Sequence, residues 1–145
     1  MKLEDIMASW SQDANIDTLN LGEESLKTPK LHSKYYQIFI QERMTLKKLE
    51  VEFSEKYQLL FDWMDGVLSR EELTAAGLEP YLLKRTKADI EKRLQNDPRI
   101  IEINKRILLQ REKIEFLESI LKMITNRGFQ IKNAIDFMKF QAGAG

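Results

Sequence analysis

The densest cluster of functional side chains is basic. It occupies a ten-residue segment in the second half of the chain and consists of Lys84, Arg85, Lys87, Lys92 and Arg93. Bases at this density can neutralise the phosphates of a nucleic acid and release its counterions. Tyr81, just before them, can offer an aromatic face to a base. The same bases can instead pair with acids of the same helices, such as Asp89 and Glu91. Nucleic-acid binding and internal ion pairing therefore both remain open.

A second basic group consists of Lys47 and Lys48, beside Arg43. The 23 basic and 23 acidic residues cancel to a net charge of zero, yet their signs are sorted along the chain. Counting Lys and Arg against Asp and Glu gives net charges of −5, +5, −6 and +5 for residues 1–26, 27–48, 50–79 and 80–111. A fold that joins the two basic blocks would present a surface to a polyanion, and solvated helix faces are the alternative.

No arrangement for catalysis accompanies these bases. The sequence has no cysteine and no glycine-rich phosphate loop, and we interpret its single histidine, His32, as structural. The acidic pairs Glu23-Glu24 and Glu71-Glu72 fall where helices begin, so the helix dipole explains them without a general acid or base. We therefore expect a protein that is not an enzyme and that uses neither a cofactor nor a metal.

The composition favours helices outside a membrane. Of the 145 residues, 43% are hydrophobic and 32% are charged, with only six Gly and three Pro, which suits long exposed helices. No apolar run approaches the ~20 residues that span a bilayer, and the first five residues carry acids where a signal peptide would be basic and then apolar. We expect neither membrane insertion nor secretion.

Two long helices are predicted from breakers and apolar spacing. Thr28-Pro29 is a helix start, a hydroxyl cap followed by proline, and no breaker follows until Gly66. Asp97-Pro98 begins the second. Apolar residues occupy heptad a and d positions of both helices: Tyr35, Phe39, Leu46, Leu49, Phe53, Leu60 and Trp63, then Ile100, Ile103, Ile107, Ile114, Leu117, Leu121 and Ile124.

Shorter elements complete the predicted fold. The capping-box sequence from Ser69 to Glu72 opens a short helix that Gly77 ends, and Pro80 starts another that runs to about Gln95. Gly128 ends the second long helix. The predicted fold is all-α, a long antiparallel helical hairpin or coiled coil with short connecting helices and a C-terminal oligomerisation helix.

The chain is accordingly divided by role into three parts. Residues 1–27 form an acidic N-terminal arm, residues 28–126 a helical hairpin core with a basic segment at 84–111, and residues 127–145 an oligomerisation segment. The last segment restarts an amphipathic helix whose apolar residues seek a partner copy: Phe129, Ile131, Ile135 and Met138.

Both ends of the chain resemble the UvsY-like recombination mediators of T-even-like bacteriophages. Near the start of the chain, the residues that carry the resemblance are Met1-Lys2-Leu3-Glu4-Asp5-Ile6 and Ile16-Asp17. The tail from Arg127 to Gly143 is the more specific match, because Arg127-Gly128-Phe129-Gln130-Ile131-Lys132 is similar to the Arg-Gly-Phe-x-Ile-Lys of that family. Thr45-Leu46-Lys47-Lys48 and the aromatic turn from Phe61 to Gly66 are looser matches.

The resemblance implies a homo-oligomeric ring, hexameric or heptameric, that binds single-stranded DNA in the cytoplasm of the infected bacterial host. Its implied partners are a RecA-type recombinase, which it helps to load, and the single-stranded-DNA-binding protein that covers the strand. No catalysis is implied. The resemblance also associates the C-terminal helix with oligomerisation.

One departure from the family changes which residues could hold DNA. Family bases just before the aromatic turn align with Gln58 and Leu60 here, which cannot neutralise phosphate. We therefore assign DNA binding to Lys47 and Lys48, which match family bases, and to the run from Lys84 to Arg93. The alternative is a non-catalytic coiled-coil adaptor or scaffold that binds only proteins and pairs its basic blocks with its own acidic blocks.

Overall fold

The computed structural model describes residues 1–143, and every regular element within them is an α-helix. The last two residues of the predicted oligomerisation segment lie outside the described residues. The helices are α1 (Leu3–Asp13), α2 (Leu21–Met64), α3 (Arg70–Ala76), α4 (Lys87–Gln95) and α5 (Pro98–Gln141). The predicted all-α class is confirmed.

The start of α2 differs from the prediction. The helix begins at Leu21, seven residues before Thr28, and Pro29 lies inside it. Asp17 organises the preceding turn by accepting hydrogen bonds from the Leu19 N–H and the Asn20 side chain, and acids occupy the first turn of the helix. An internal proline removes a backbone hydrogen bond and costs about 3 kcal/mol, so contacts elsewhere in the turn must offset it.

Both predicted glycine stops, Gly66 and Gly77, are confirmed by their geometry. Gly66 has φ +72° and Gly77 has φ +67°, the left-handed conformation that costs glycine nothing. In each turn the glycine N–H and the next N–H bond back to carbonyls of the last helical turn, which satisfies groups that a helix end leaves unpaired. The capping box of Ser69 and Glu72 opens α3 as predicted.

The helix predicted from Pro80 starts instead at Lys87. Residues 80–86 form no helix, and Thr86 caps α4 by accepting a hydrogen bond from the Asp89 N–H. Upstream, the Trp63 indole donates to the Glu79 carbonyl at 2.6 Å. A hydroxyl cap competes well with proline as a helix start, so the later signal sets the boundary.

The break predicted at Gly128 is wrong, because α5 continues through it to Gln141. Gly128 is not among the glycines with positive φ. A glycine inside a helix costs only about 1 kcal/mol. Arg127 and Ile131, on either side, are 3% exposed, so their burial holds the helical backbone through this position.

The chain forms two compact units. Unit 1 comprises Met1–Arg43 and Glu112–Gly145, and unit 2 comprises Met44–Arg111. Within unit 1, α2 and α5 run antiparallel, since Glu24 pairs with Arg127 and Glu42 with Lys113. Within unit 2 the same helices are also antiparallel, as shown by the ion pairs Glu50–Arg111 and Glu52–Arg106.

Each unit has its own apolar core. In unit 1 the cluster consists of Ile6, Tyr35, Leu117, Ile120 and Ile124. In unit 2 two clusters consist of Leu60, Met64, Ile90, Leu94 and Ile100, and of Leu49, Ile103 and Ile107. Ile6 of α1 is fully buried, so the predicted N-terminal arm contributes a helix to the core. Its assignment as a separate part by role stays a prediction, like the rest of the three-part division.

Candidate nucleic-acid interface

The basic run from Lys84 to Arg93 is spread around α4 rather than aligned on it. Lys84 precedes the helix, Lys87 is its first residue, and Lys92 and Arg93 lie in its last turn. At about 100° per residue, Lys87 and Lys92 are roughly 140° apart around the axis. The run therefore does not form one continuous row of cations.

Arg85 points into unit 2. Its Nε donates to the Tyr81 hydroxyl at 2.6 Å, and its Nη1 donates to Asp89 Oδ2 at 2.8 Å. The Arg85 side chain is only 15% exposed. Hydrogen bonding to Arg85 lowers the pKa of Asp89, which keeps this carboxylate charged. Arg85 thus fixes Tyr81 and α4, and its predicted contact with DNA would require these bonds to break.

Lys92 and Arg93 share a cleft with Tyr81. The cleft has a volume of about 530 Å³ and also exposes Asp89, Asn96 and Asp97. Both acids already have arginine partners, since Arg93 lies 3.5 Å from Asp89 and a bidentate Arg99 lies 2.8 Å from Asp97. Lys92 has no acidic partner among residues 1–143, so its charge is available to a ligand.

Lys47 and Lys48 lie on the exposed surface of α2, beside a shallow hollow that Val51, Glu52 and Glu55 complete. Met64, which lines the cleft of Lys92, is 16 residues farther along the same helix than Lys48. At 1.5 Å per residue this is about 25 Å, or roughly seven stacked nucleotides. The pair Lys47 and Lys48 and the run from Lys84 to Arg93 therefore form two separate basic patches on the surface of unit 2.

Lysines and arginines of the candidate interface behave differently. The five lysines predicted to bind DNA are exposed and form no ion pair within residues 1–143: Lys47, Lys48, Lys84, Lys87 and Lys92. By contrast, five of the six arginines of unit 2 pair with a carboxylate of the described residues, Arg70 being the exception: Arg85, Arg93, Arg99, Arg106 and Arg111. The lysines thus carry the free positive charge that a phosphate backbone needs.

The two positions where the family has bases offer no cation. The Gln58 side chain donates to Asp62 at 2.9 Å, and Leu60 is 2% exposed in the core of unit 2. A positive charge for phosphate therefore cannot come from these two positions, and the assignment of DNA binding to other residues stays a prediction.

The predicted oligomerisation face of α5 is partly turned inward. Ile131 is 3% exposed and packs within unit 1, so its side chain has no surface left for a partner copy, whereas Ile135 is only half-buried and its assignment stays a prediction. Phe129 and Met138 remain exposed. Two residues outside the prediction, Phe137 and Phe140, are also exposed, and both lie within about 80° of Phe129 around the helix.

One row of planar side chains on α2 in unit 1 lies outside the predicted binding residues. His32, Tyr36, Phe39 and Arg43 follow one another along α2 at spacings of four, three and four residues. This spacing keeps side chains on one face of a helix, so the sequence contained the signal. Of the four, the sequence predicts a structural role for His32 and a heptad position for Phe39.

Two classes of site are absent from the part of the chain that the structure describes. No three or more His, Asp or Glu side chains are grouped so that they could hold a metal ion. No helix is sufficiently long and apolar to span a membrane.

Comparisons with known proteins converge on one family. Residues 9–144 match the family model of the recombination, repair and single-stranded-DNA-binding protein UvsY. The chain is 22% identical over 143 residues to the recombination protein UvsY of Enterobacteria phage T4, which covers 99% of both chains.

Solved structures show the same fold. In its lattice type IV crystal, the recombination mediator protein UvsY of bacteriophage T4 gives a TM-score of 0.83 at 21% identity, over 97% of this chain and 99% of that one. The lattice type II crystal of that protein gives 0.82 at 21% identity, over 98% of each chain.

Proposed function

Because this chain belongs to the UvsY family of recombination, repair and single-stranded-DNA-binding proteins, we propose that it is a recombination mediator. It binds single-stranded DNA and promotes loading of a RecA-type recombinase onto strands covered by single-stranded-DNA-binding protein. It acts in phage homologous recombination and repair, in the cytoplasm of the infected bacterial host, without catalysing a reaction.

The observation that carries this proposal is the set of unpaired lysines on unit 2. Lys47, Lys48, Lys84, Lys87 and Lys92 are exposed and have no carboxylate partner within residues 1–143. Each phosphate neutralised on a single strand contributes about −0.7 to the slope of log affinity against log salt, so all five would give a slope of about −3.5 per subunit. Binding of this kind is strongly salt-dependent and indifferent to base sequence.

A homo-oligomeric ring of six or seven copies would multiply these contacts. Linking sites converts each further contact into an intramolecular event, so weak contacts sum to high avidity without a deep groove. Exposed aromatic residues on α5, such as Phe129 at 68% exposure, offer apolar area for contact between copies.

This contact can be tested by one charge placed on α5. Phe129→Asp should lower the sedimenting mass, because it would bury a carboxylate between copies. Gln130→Asp adds the same charge to a neighbouring exposed residue and should leave the mass unchanged. If both variants sediment like the unchanged protein, Phe129 does not form the contact.

The ion pairs of unit 2 also support a second candidate, the coiled-coil adaptor that binds only proteins. An adaptor of this kind is expected to pair its basic side chains with acidic side chains of the same chain. Arg85, Arg106 and Arg111 form such ion pairs. The five unpaired lysines are what this candidate leaves unexplained.

Fluorescence anisotropy of a labelled oligonucleotide separates the two candidates. Protein is titrated into a single strand at two salt concentrations, with a duplex of the same length as control. The mediator should prefer the single strand and weaken as salt rises. It should then accelerate recombinase filament formation on a strand already covered by single-stranded-DNA-binding protein. Folded, oligomeric protein that fails to bind at low salt would support the adaptor.

A further inference from the structure

Four planar side chains of unit 1 follow one another along α2, and we call them the aromatic row: His32, Tyr36, Phe39 and Arg43. The His32 and Tyr36 rings are nearly parallel, with centroids 5.5 Å apart and an interplanar angle of 13°. The Tyr36 and Phe39 centroids are 6.1 Å apart, with the rings tilted by 38°. The Arg43 guanidinium lies over Phe39, 5.5 Å from its centroid. Four planar groups thus follow one another along the helix.

The aromatic row is largely outside the core. His32 and Arg43 are exposed and Tyr36 is 45% exposed, while Phe39 alone packs against the core cluster of unit 1. The neighbouring residue Tyr35 is fully buried by comparison. Aromatic surface left in water is unfavourable, so an exposed row of rings is suited to a ligand with flat apolar faces.

The charge around the aromatic row favours an anionic ligand. The acids of α2 within unit 1 are Glu23, Glu24 and Glu42. Glu24 and Glu42 are buried in ion pairs, and Glu23 lies about 180° around the helix from His32. Arg43 forms no ion pair with any residue from 1 to 143. The row therefore combines planar rings with one available cation and no acid on its own helical face.

We propose that the aromatic row is a stacking site for the bases of a single-stranded nucleic acid, with Arg43 contacting a phosphate at one end. Successive bases present flat faces that stack on aromatic rings and on guanidinium groups, and a single strand leaves those faces open. The inference rests on the proposed function and deepens it, since it gives unit 1 a role in binding that depends on bases. The unpaired lysines of unit 2 recognise only phosphate.

The dependence on bases provides the test. Anisotropy titrations use the full chain with two labelled strands of equal length, oligothymidine and an abasic oligonucleotide with the same phosphates. Wild-type protein should bind oligothymidine more tightly. Tyr36→Ala should weaken oligothymidine binding by about fivefold or more, the loss expected for one stacked base, and leave binding of the abasic strand unchanged.

Two matched variants isolate the ring. Tyr36→Phe keeps the aromatic face without the hydroxyl and should bind both strands as wild type does. Gln37→Ala alters the adjacent exposed residue of α2, whose side chain bonds only to Ser33, and should also behave as wild type. Sedimentation velocity of Tyr36→Ala should give the wild-type mass.

Several results would overturn the inference. An unchanged ratio of the two affinities in Tyr36→Ala would show that the ring does not stack on bases. A lowered mass in this variant, with equal loss on both strands, would make the row a contact between copies of the chain. Wild-type protein that binds both strands equally would overturn the inference alone, whereas wild-type protein that binds neither would overturn the proposed function with it.

Discussion

Units 1 and 2 contain the same kinds of charged residue but use them differently. In unit 1 the Glu24–Arg127 pair is buried, with side chains 6% and 4% exposed, and Arg127 also donates to the Glu24 carbonyl and to Thr28. In unit 2 the Arg106–Glu52 pair is about half exposed on both sides. Water screens an exposed ion pair, so the pair adds little to the free energy of unfolding. Removing one partner of a buried pair is costly, because it leaves the other charge buried and unpaired.

The buried and the exposed ion pairs contribute differently to the two units. The buried Glu24–Arg127 pair of unit 1 fixes the alignment of α2 with α5, because its bonds join residues 103 positions apart. The exposed pairs of unit 2 add little to stability, and the lysines beside them stay unpaired. In unit 1 a buried ion pair therefore holds α2 against α5, whereas in unit 2 the pairs between these two helices are exposed and several lysines stay unpaired.

The largest expected effect comes from breaking the buried pair. Arg127→Ala leaves the Glu24 carboxylate and carbonyl without their shared donor, and we expect the free energy of unfolding to fall by about 3–5 kcal/mol. Urea denaturation followed by circular dichroism measures it. A change below 1 kcal/mol would show that the pair does not hold the fold.

Acid should destabilise the protein through the carboxylates of unit 1. Burial raises the pKa of Asp13, but hydrogen bonds from Lys34 and Tyr35 outweigh it and leave the pKa lowered. The hydrogen bond from Lys27, aided by the charges of Lys27 and Arg127, lowers the pKa of Glu24. A lowered pKa in the folded state stabilises the protein above the unfolded pKa of about 4, and this stability is lost as pH falls through the folded values.

Urea midpoints between pH 6 and pH 3 check this expectation. The midpoint should fall below about pH 4, and Asp13→Asn, which cannot ionise, should show a shallower fall. If Asp13→Asn follows the wild-type curve at every pH, Asp13 does not contribute to the acid sensitivity.

The smallest effect is expected from the matched arginine in unit 2. Arg106→Ala removes a pair whose two side chains are 51% and 49% exposed, and we expect a loss of at most about 1 kcal/mol in the same urea experiment. Equal losses for Arg106→Ala and Arg127→Ala would remove the distinction between the units.

Boundaries set by local chemistry were predictable from sequence, and those set by distant contacts were not. Gly66, Gly77, Ser69 and the Asp97-Pro98 start act within one turn, and the structure confirms them. Helix α2 begins at Leu21, before the local signal of Pro29, and its first turn is contacted at Glu24 by Arg127 from 103 residues away. The local signal of Pro29 could not reveal that contact.

The candidate site was predictable by residue type but not by orientation. Lys84 and Arg85 are adjacent in sequence, yet Lys84 is exposed while Arg85 is held by Tyr81 and Asp89. Likewise the apolar pattern of the last helix identified Ile131 without revealing that its face is the inner one. A periodic pattern gives the faces of a helix, and only packing decides which of them meets the core.

The central claim is that the unpaired lysines of unit 2 hold single-stranded DNA, and the salt dependence of binding tests it most directly. Oligonucleotide affinity is measured across salt concentrations for wild type, for the triple variant Lys84→Ala, Lys87→Ala and Lys92→Ala, and for Arg106→Ala as the paired control. Three lost phosphate contacts should make the log–log slope shallower by about 2 in the triple variant, with little change in the control. A slope that is the same in the folded triple variant as in wild type would contradict the claim.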